Sequence, residues 1–510
     1  MKLGAHLLDL AANSSALVRD TLKAHGDRPL SEYLGSLVGD ASTTIRPPED
    51  FLSSVRQRAS ALYDPETAQA AVAELRANPI VPTSNHFGVD TFADSIHGTL
   101  LFALRPRAVE APPRTVVVLG FSSISLNNLT YPMGLLLYDP KRGDLATFPQ
   151  RLPIMPNRLK HCAVAAAPRL EAGMVDRART TLRRMAASGD ITPFGERSAD
   201  QVLQEDFAAP EILSLPSHAH QATRINTRLW RKLFRDGTSA PRLVQLPVEP
   251  ICADLLCRDL GNPESLAHTL LFTARTRDAL LTALDGARGC WSLDQPGQPS
   301  ANPAGTTFFW ALTDSGRRVA LTLRGPPSAL RLSGTDPHGT ELSWEFTPEG
   351  VTEGLREGRL FPSLFSCFLT LAFARGLRCV GGYYQAEYLP VMQQGVIEAL
   401  SAGGAPRPMS ELVARTPTNI CLAGLQASGR VLADGRVIPA GPVEIAGAGG
   451  FTEADIAAMQ TVTVRDAYLL AFPELFHHLV PGAVLPPGWG SLLAAENGGR
   501  SQCGVRLEGR

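Results

Sequence analysis

"RTVVVLGFSSISLNNLTYP", residues 114–132, is the stretch whose reading decides the fold class. Val116–Leu119 is a continuous β-branched and apolar run. Such a run marks a strand buried on both faces of a parallel sheet, whereas a half-exposed strand would alternate apolar with polar. Polar residues gather only beyond its C-terminal end, at Ser125, Asn127 and Asn128. That is the side on which open α/β sheets bind ligands.

Working outward, "NPIVPTSNHFGVDTFADSIHGTLLFALRPR" (78–107) reads as an apolar lead-in, a polar turn and a helix over about 90–104. "LVQLPVEP" (243–250) reads as a second buried strand. Between them, residues 170–235 are helical. "FFWALTDSGRRVALTLRG" and "ALRLSGTDPHGTELSWEF" alternate around turns rich in Asp, Ser and Gly, the pattern of two hairpins. A third hairpin is expected in "GRVLADGRVIPAG", helices around 452–480, and a frayed tail from "AENGGRSQCGVRLEGR" onward. The expected architecture is α/β, with a mostly parallel core, a small antiparallel β insertion and helical terminal regions. Its ranges are a helical region at 1–80, a core at 81–260, an insertion at 261–350, a return to the core at 351–400 and an α+β region at 401–510.

The bulk numbers exclude several function classes. The chain has 510 residues, 44% hydrophobic and 19% charged, with a formal net charge of −1. A near-neutral chain has no electrostatic footprint for nucleic acid or an anionic membrane. No run approaches ~18 apolar residues, the length a spanning helix needs. The N-terminus lacks a signal-peptide core, and eight scattered cysteines form no CxxC pair, as in a reducing cytoplasm. Walker, GxGxxG, GxSxG and HExxH signatures are missing.

Three segments repeat one design, an apolar element followed by a tight polar turn and a helix-like run. They are 82–90, 125–134 and "VGGYYQAEY" (380–388). Polar loops converging at one sheet edge build the sites of α/β enzymes. Gly381 and Gly382 would let backbone N–H groups approach a ligand, while Tyr383, Tyr384, Gln385 and Glu387 face a pocket. A glycine-capped turn whose tyrosines span core and surface would give the same pattern. His86, before the expected helix, suits a base or an anion contact, with Asn85 and Gly88 beside it; Ser84 or Asn85 acting as a simple cap is the plainer alternative. Arg158 and Lys160, in "PNRLKHC", could hold a phosphate or carboxylate, or form a solvated basic turn. His218 and His220 form an HxH pair without a third ligand at metal spacing, so no metal is expected. Cys290, in "GARGCW", is expected to be buried rather than reactive.

In their order, "TSNHFGVDTFADSIHGTLLFAL", "TVVVLGFSSISLNNLTYP" and "CVGGYYQAEYLPVMQQG" resemble three segments of the cysteine-adding enzyme family of bacillithiol biosynthesis. Asn85 and His86 stand where that family is richer in Gln and Gly. Ser125, Asn127 and Asn128 replace its acidic, histidine-bearing cluster, and its long coiled-coil arm has no counterpart. The resemblance implies a Rossmann-like, nucleotidyltransferase-type core in a bacterial enzyme with a different substrate.

The function expected is a cytoplasmic biosynthetic enzyme, amino-acid ligase-like, that joins or activates small polar metabolites. Asn85, His86 and Gly88 would meet a nucleotide or phosphate at a helix start, the nucleotide being the one cofactor considered. Asn127 and Asn128 would orient substrate amides or hydroxyls. Glu387 would bind an ammonium or act as general base beside Tyr384, provided burial raises its pKa. The partner is a small molecule, with neither nucleic acid nor membrane, and self-association is left open. A non-catalytic binding or assembly protein and a metal-assisted hydrolase using His218 and His220 are the alternatives.

Overall fold

The computed structural model describes residues 2–38, 47–106, 114–140, 145, 148–293, 305–500 and 504–508. Their strands are β1 (Ile80–Pro82), β2 (Thr115–Gly120), β3 (Gly134–Leu137), β4 (Gln150–Pro153), β5 (Arg242–Pro247), β6 (Phe309–Leu312), β7 (Arg318–Ala320), β8 (Thr322–Arg324), β9 (Arg331–Thr335), β10 (Glu341–Glu345), β11 (Leu360–Pro362), β12 (Arg378–Val380), β13 (Ser428–Val431), β14 (Val437–Pro439) and β15 (Val505–Glu508). The helices that matter most for the site are α1 (Ala16–His25), α2 (Ala93–Leu104), α3 (His218–Lys232), α4 (Val248–Leu260), α5 (Tyr383–Gly403) and α6 (Val464–Leu479).

The fold is mixed α/β with helix predominating, and its sheets are small, of two or three strands each. β2 is buried throughout, as its apolar run requires, and pairs parallel with β5 from Thr115↔Arg242 to Gly120↔Pro247. β1 pairs parallel with β12, Val81 opposite Cys379. Single parallel bridges join these pieces: His86 to Phe121 past the end of β2, and Gly381 to Cys421 past the end of β12.

The expected hairpins form β6–β7, β9–β10 and β13–β14, all antiparallel. The tail differs from expectation. Val505–Glu508 is not frayed but lies parallel to β13, because Val505 and Leu507 bury their side chains against the C-terminal core. "RLFPSLFSCFLTLAFARG" (359–376), whose apolar run reads from sequence as one buried helix, instead forms β11, a short helix at Leu364–Phe368 and a π-turn at Leu369–Phe373. Val55, Val117, Phe308, Phe365 and Val413 belong to one hydrophobic cluster, so residues from all five sequence ranges share a core.

Candidate functional site

A cleft of about 500 Å³ opens where the loops after β1, β2 and β12 meet. The residues after β1 contribute Thr83, Ser84 and His86; those after β2 contribute Phe121, Ser123, Leu129 and Thr130. The first turn of α5 contributes Gly382, Tyr383, Tyr384 and Gln385. The three polar turns singled out in the sequence therefore converge.

His86 is half-buried, and its ring is fixed from behind. Nδ1 lies 2.9 Å from Asn128 Oδ1 and 3.1 Å from Thr130 Oγ1. Asn128 Oδ1 already accepts from Thr130 N at 2.8 Å and from the Thr130 hydroxyl at 2.9 Å, and the Asn128 amide donates to Ser125 O. The oxygen of Asn128 must therefore face His86, so Nδ1 carries the proton and donates. Nε2 is left with its lone pair and no hydrogen-bond partner among the described residues. Burial lowers the pKa of His86 to about 4, with the nearby Arg318 charge adding to the effect. The ring is neutral at pH 7, with a basic nitrogen available in the cleft.

The turn carrying His86 is held by buried polar groups. Asn226 of α3 donates to Gly88 O at 2.7 Å, and its Oδ1 accepts from Asp90 N at 3.0 Å. Gln245 of β5 donates to His86 O at 3.2 Å. Gly88 has φ +124°, and a Cβ there would stand 2.8 Å from Pro132, so glycine is required. On the β2 side, the buried carboxylate of Glu249 accepts from Ser122 N, Ser122 Oγ and Ser123 N at 2.7–2.9 Å. Glu249, one residue inside α4, was legible only as a lone acid following a buried strand.

The carboxyl group in the cleft is Asp94, not Glu387. Glu387 is exposed and accepts from Ser15 Oγ, the N-cap of α1, at 2.9 Å. No burial is present to fit it for the base role expected of it, and it is outside the cleft lining. Asp94 accepts from Gly424 N at 2.5 Å, and burial, with the neighbouring Asp90 charge, raises its pKa to about 6. Gly424 has φ +99°, and a Cβ on it would strike the Tyr383 ring. Tyr383 donates to Gly424 O and stacks on Tyr468; Tyr384 donates to His478 O; Gln385 bonds Thr83.

Other expected contacts fall elsewhere. Asn85 is buried and donates to Thr99 Oγ1 at 3.1 Å, supporting α2 rather than a ligand. The helix starts at Ala93, several residues after His86. Two N–H groups at that end are already used, Phe92 N by Asp90 and Ala93 N by the Tyr138 hydroxyl. An anion at that helix start would meet Asp90 and Asp94, so the nucleotide-phosphate role of Asn85, His86 and Gly88 is corrected. Gly381 has its N–H bonded to Ile420 O and its carbonyl bonded by Leu422 N. Asn127 pairs with Ser125, and Asn128 acts through His86. Arg158 and Lys160 sit on an exposed-to-half-exposed 3₁₀ turn and are not among the residues that line the cleft. His220 uses both ring nitrogens, on Ser217 Oγ and Ala61 O, which leaves no lone pair to share with His218. Cys290 is buried, its thiol pushed up to about 12 by burial.

Two cations were missed. Arg288 lies over the Tyr384 ring, its Cζ 3.6 Å from the centroid, and Arg318 over Trp310 at 4.3 Å; both line the cleft. No family model, curated protein or solved structure matches the chain.

Proposed function

We propose that the chain is an enzyme acting on a small polar metabolite, with His86 Nε2 as general base. One observation carries the reading: an imidazole oriented by a fully specified hydrogen-bond network, with its basic nitrogen open to a cleft. A base so placed can take a proton from a nucleophile and typically contributes 10²–10⁴-fold to rate. Asp94 takes the role expected of Glu387, pairing an ammonium or exchanging a proton near neutral pH. Joining or activating polar metabolites, the ligase-like chemistry expected from the sequence, fits a base beside arginines that suit a carboxylate or phosphate. A nucleotide as activator belongs to the same proposal, as does a Rossmann-like description of β12, β1, β2 and β5. Free, mostly buried cysteines and the absence of a spanning helix among the described residues support a cytoplasmic setting.

A binding protein is the second reading. Its specific support is that Nδ1 of His86 meets an amide oxygen rather than a carboxylate, which leaves the imidazole a weak base. The experiment is incubation of the full chain with a metabolite extract, with and without ATP, read by mass spectrometry. A substrate should be consumed by the parent and at least ~100-fold more slowly by His86→Asn. Equal turnover by the variant would remove His86 as base; ligand retention without turnover would favour the binding protein.

A further inference from the structure

We propose that the cleft holds a carboxylate or phosphate group of its ligand on Arg318 and Arg288, beside His86; the proposal rests on the cleft being the functional site described above. The buried arginines Arg105, Arg375 and Arg430 are paired, whereas Arg288 is half-buried and Arg318 exposed. Arg105 meets Glu74, Arg375 meets Asp50 and Asp259, and Arg430 meets Asp139, all within 2.6–2.9 Å. The side chains of Arg288 and Arg318 have neither a salt bridge nor a hydrogen bond among the described residues. Each instead lies over an aromatic ring. Stacking fixes the guanidinium plane and leaves its N–H edge free, the fork that matches carboxylate and phosphate oxygens.

Neither arginine forms an ion pair with an acid among the described residues. Glu249, whose charge Arg318 senses, has its oxygens occupied by Ser122 and Ser123. Asp94 is shifted by burial and Asp90, and neither arginine is among the causes. Arg318 does reach His86, since its charge helps hold the imidazole neutral. The uncapped first turn of α5 adds N–H groups to the same cleft. Phe92, Phe121, Ile124, Leu364 and Leu475 line much of the rest, so the anionic group should sit on a small apolar body.

The test uses benzoate and phenyl phosphate as probes and benzamide as their neutral counterpart, titrated into the full chain by calorimetry. At least one anion should bind saturably and at least ~10-fold more tightly than benzamide, the discrimination worth about one charged hydrogen bond. Whichever anion binds better identifies the group. Arg318→Leu should weaken that binding ~10-fold or more and Arg288→Leu several-fold, with part recovered in Arg318→Lys. The same titrations followed by histidine NMR should show the His86 pKa rising when an anion binds. Anions that bind no better than benzamide, or that ignore both leucine variants, overturn the proposal. Turnover that depends on His86 yet proceeds with neutral substrates would do so while leaving the functional reading intact; anion binding through both arginines with turnover indifferent to His86 would do the reverse.

Discussion

At His86, Thr130 decides which nitrogen is the base. Its backbone N–H can only donate, so Asn128 must present its oxygen, and that oxygen in turn requires a proton on Nδ1. A consequence at this scale concerns Glu387. Glu387→Gln keeps an oxygen for Ser15 Oγ and removes only an exposed charge, so stability should change by under about 0.5 kcal/mol and ligand binding not at all. Asp94→Asn, by contrast, should alter the pH profile of binding near 6. Thermal melts beside calorimetry decide it; a large binding loss in Glu387→Gln would return that residue to the site. The sequence made His86, Tyr384 and Gln385 legible because polar groups after apolar runs need a reason to be there. It could not separate Glu387 from Asp94. The partner that claims Glu387, Ser15, stands 372 residues away, and only tertiary packing reveals it.

Among the elements, those whose pattern has a single physical solution were the legible ones. β2 must be buried on both faces because nothing polar interrupts it, and the three hairpins follow from alternation plus turn residues. Arg318 was hidden by that same alternation, since an exposed charged residue on a hairpin strand reads like any solvated arginine until Trp310 is seen beneath it. Arg375 was hidden too. It lies just past the π-turn and links the helix Glu49–Leu62, through Asp50, to the end of α4, through Asp259, while also donating to Thr370 O. Removing the cation leaves two partly buried carboxylates facing each other. Arg375→Leu should cost about 3 kcal/mol, the lower end for breaking a buried ion pair because Asp50 keeps 32% of its side chain exposed. Urea unfolding measures it, and a loss under ~1 kcal/mol would show that the link between these helices is solvated.

Across the whole molecule, buried titratable groups of opposite kinds oppose one another. Burial raises Asp90 and Asp94 to about 6 and Glu444 to about 7. Burial also lowers His86, His97 and His218 to about 4. The signs follow from proton linkage. A histidine lowered from 6.5 adds stability that is complete above pH 6.5 and is lost as pH falls towards 4. A carboxyl raised above its ordinary value does the reverse: it costs nothing below that value and destabilises increasingly as pH rises through the folded pKa. Between pH 4 and 7 the two sets pull in opposite directions, and the parent should show a shallow stability profile. Asp90→Asn should tilt it. The amide resembles the protonated acid, its oxygen still accepts from Phe92 N and Ser95 Oγ, and it cannot ionise. Since Asp90 moves from 3.8 to about 6 on folding, the parent carries a penalty of roughly 3 kcal/mol at pH 8 that is absent near pH 3.5. The variant's stability relative to the parent should therefore improve by up to that amount between pH 4 and pH 8. Comparing the two pH values cancels any fixed packing cost of the substitution. Chemical denaturation of both proteins at pH 4 and 8 gives the difference directly, and an unchanged difference would mean that Asp90 ionises in the folded chain as freely as in the unfolded one.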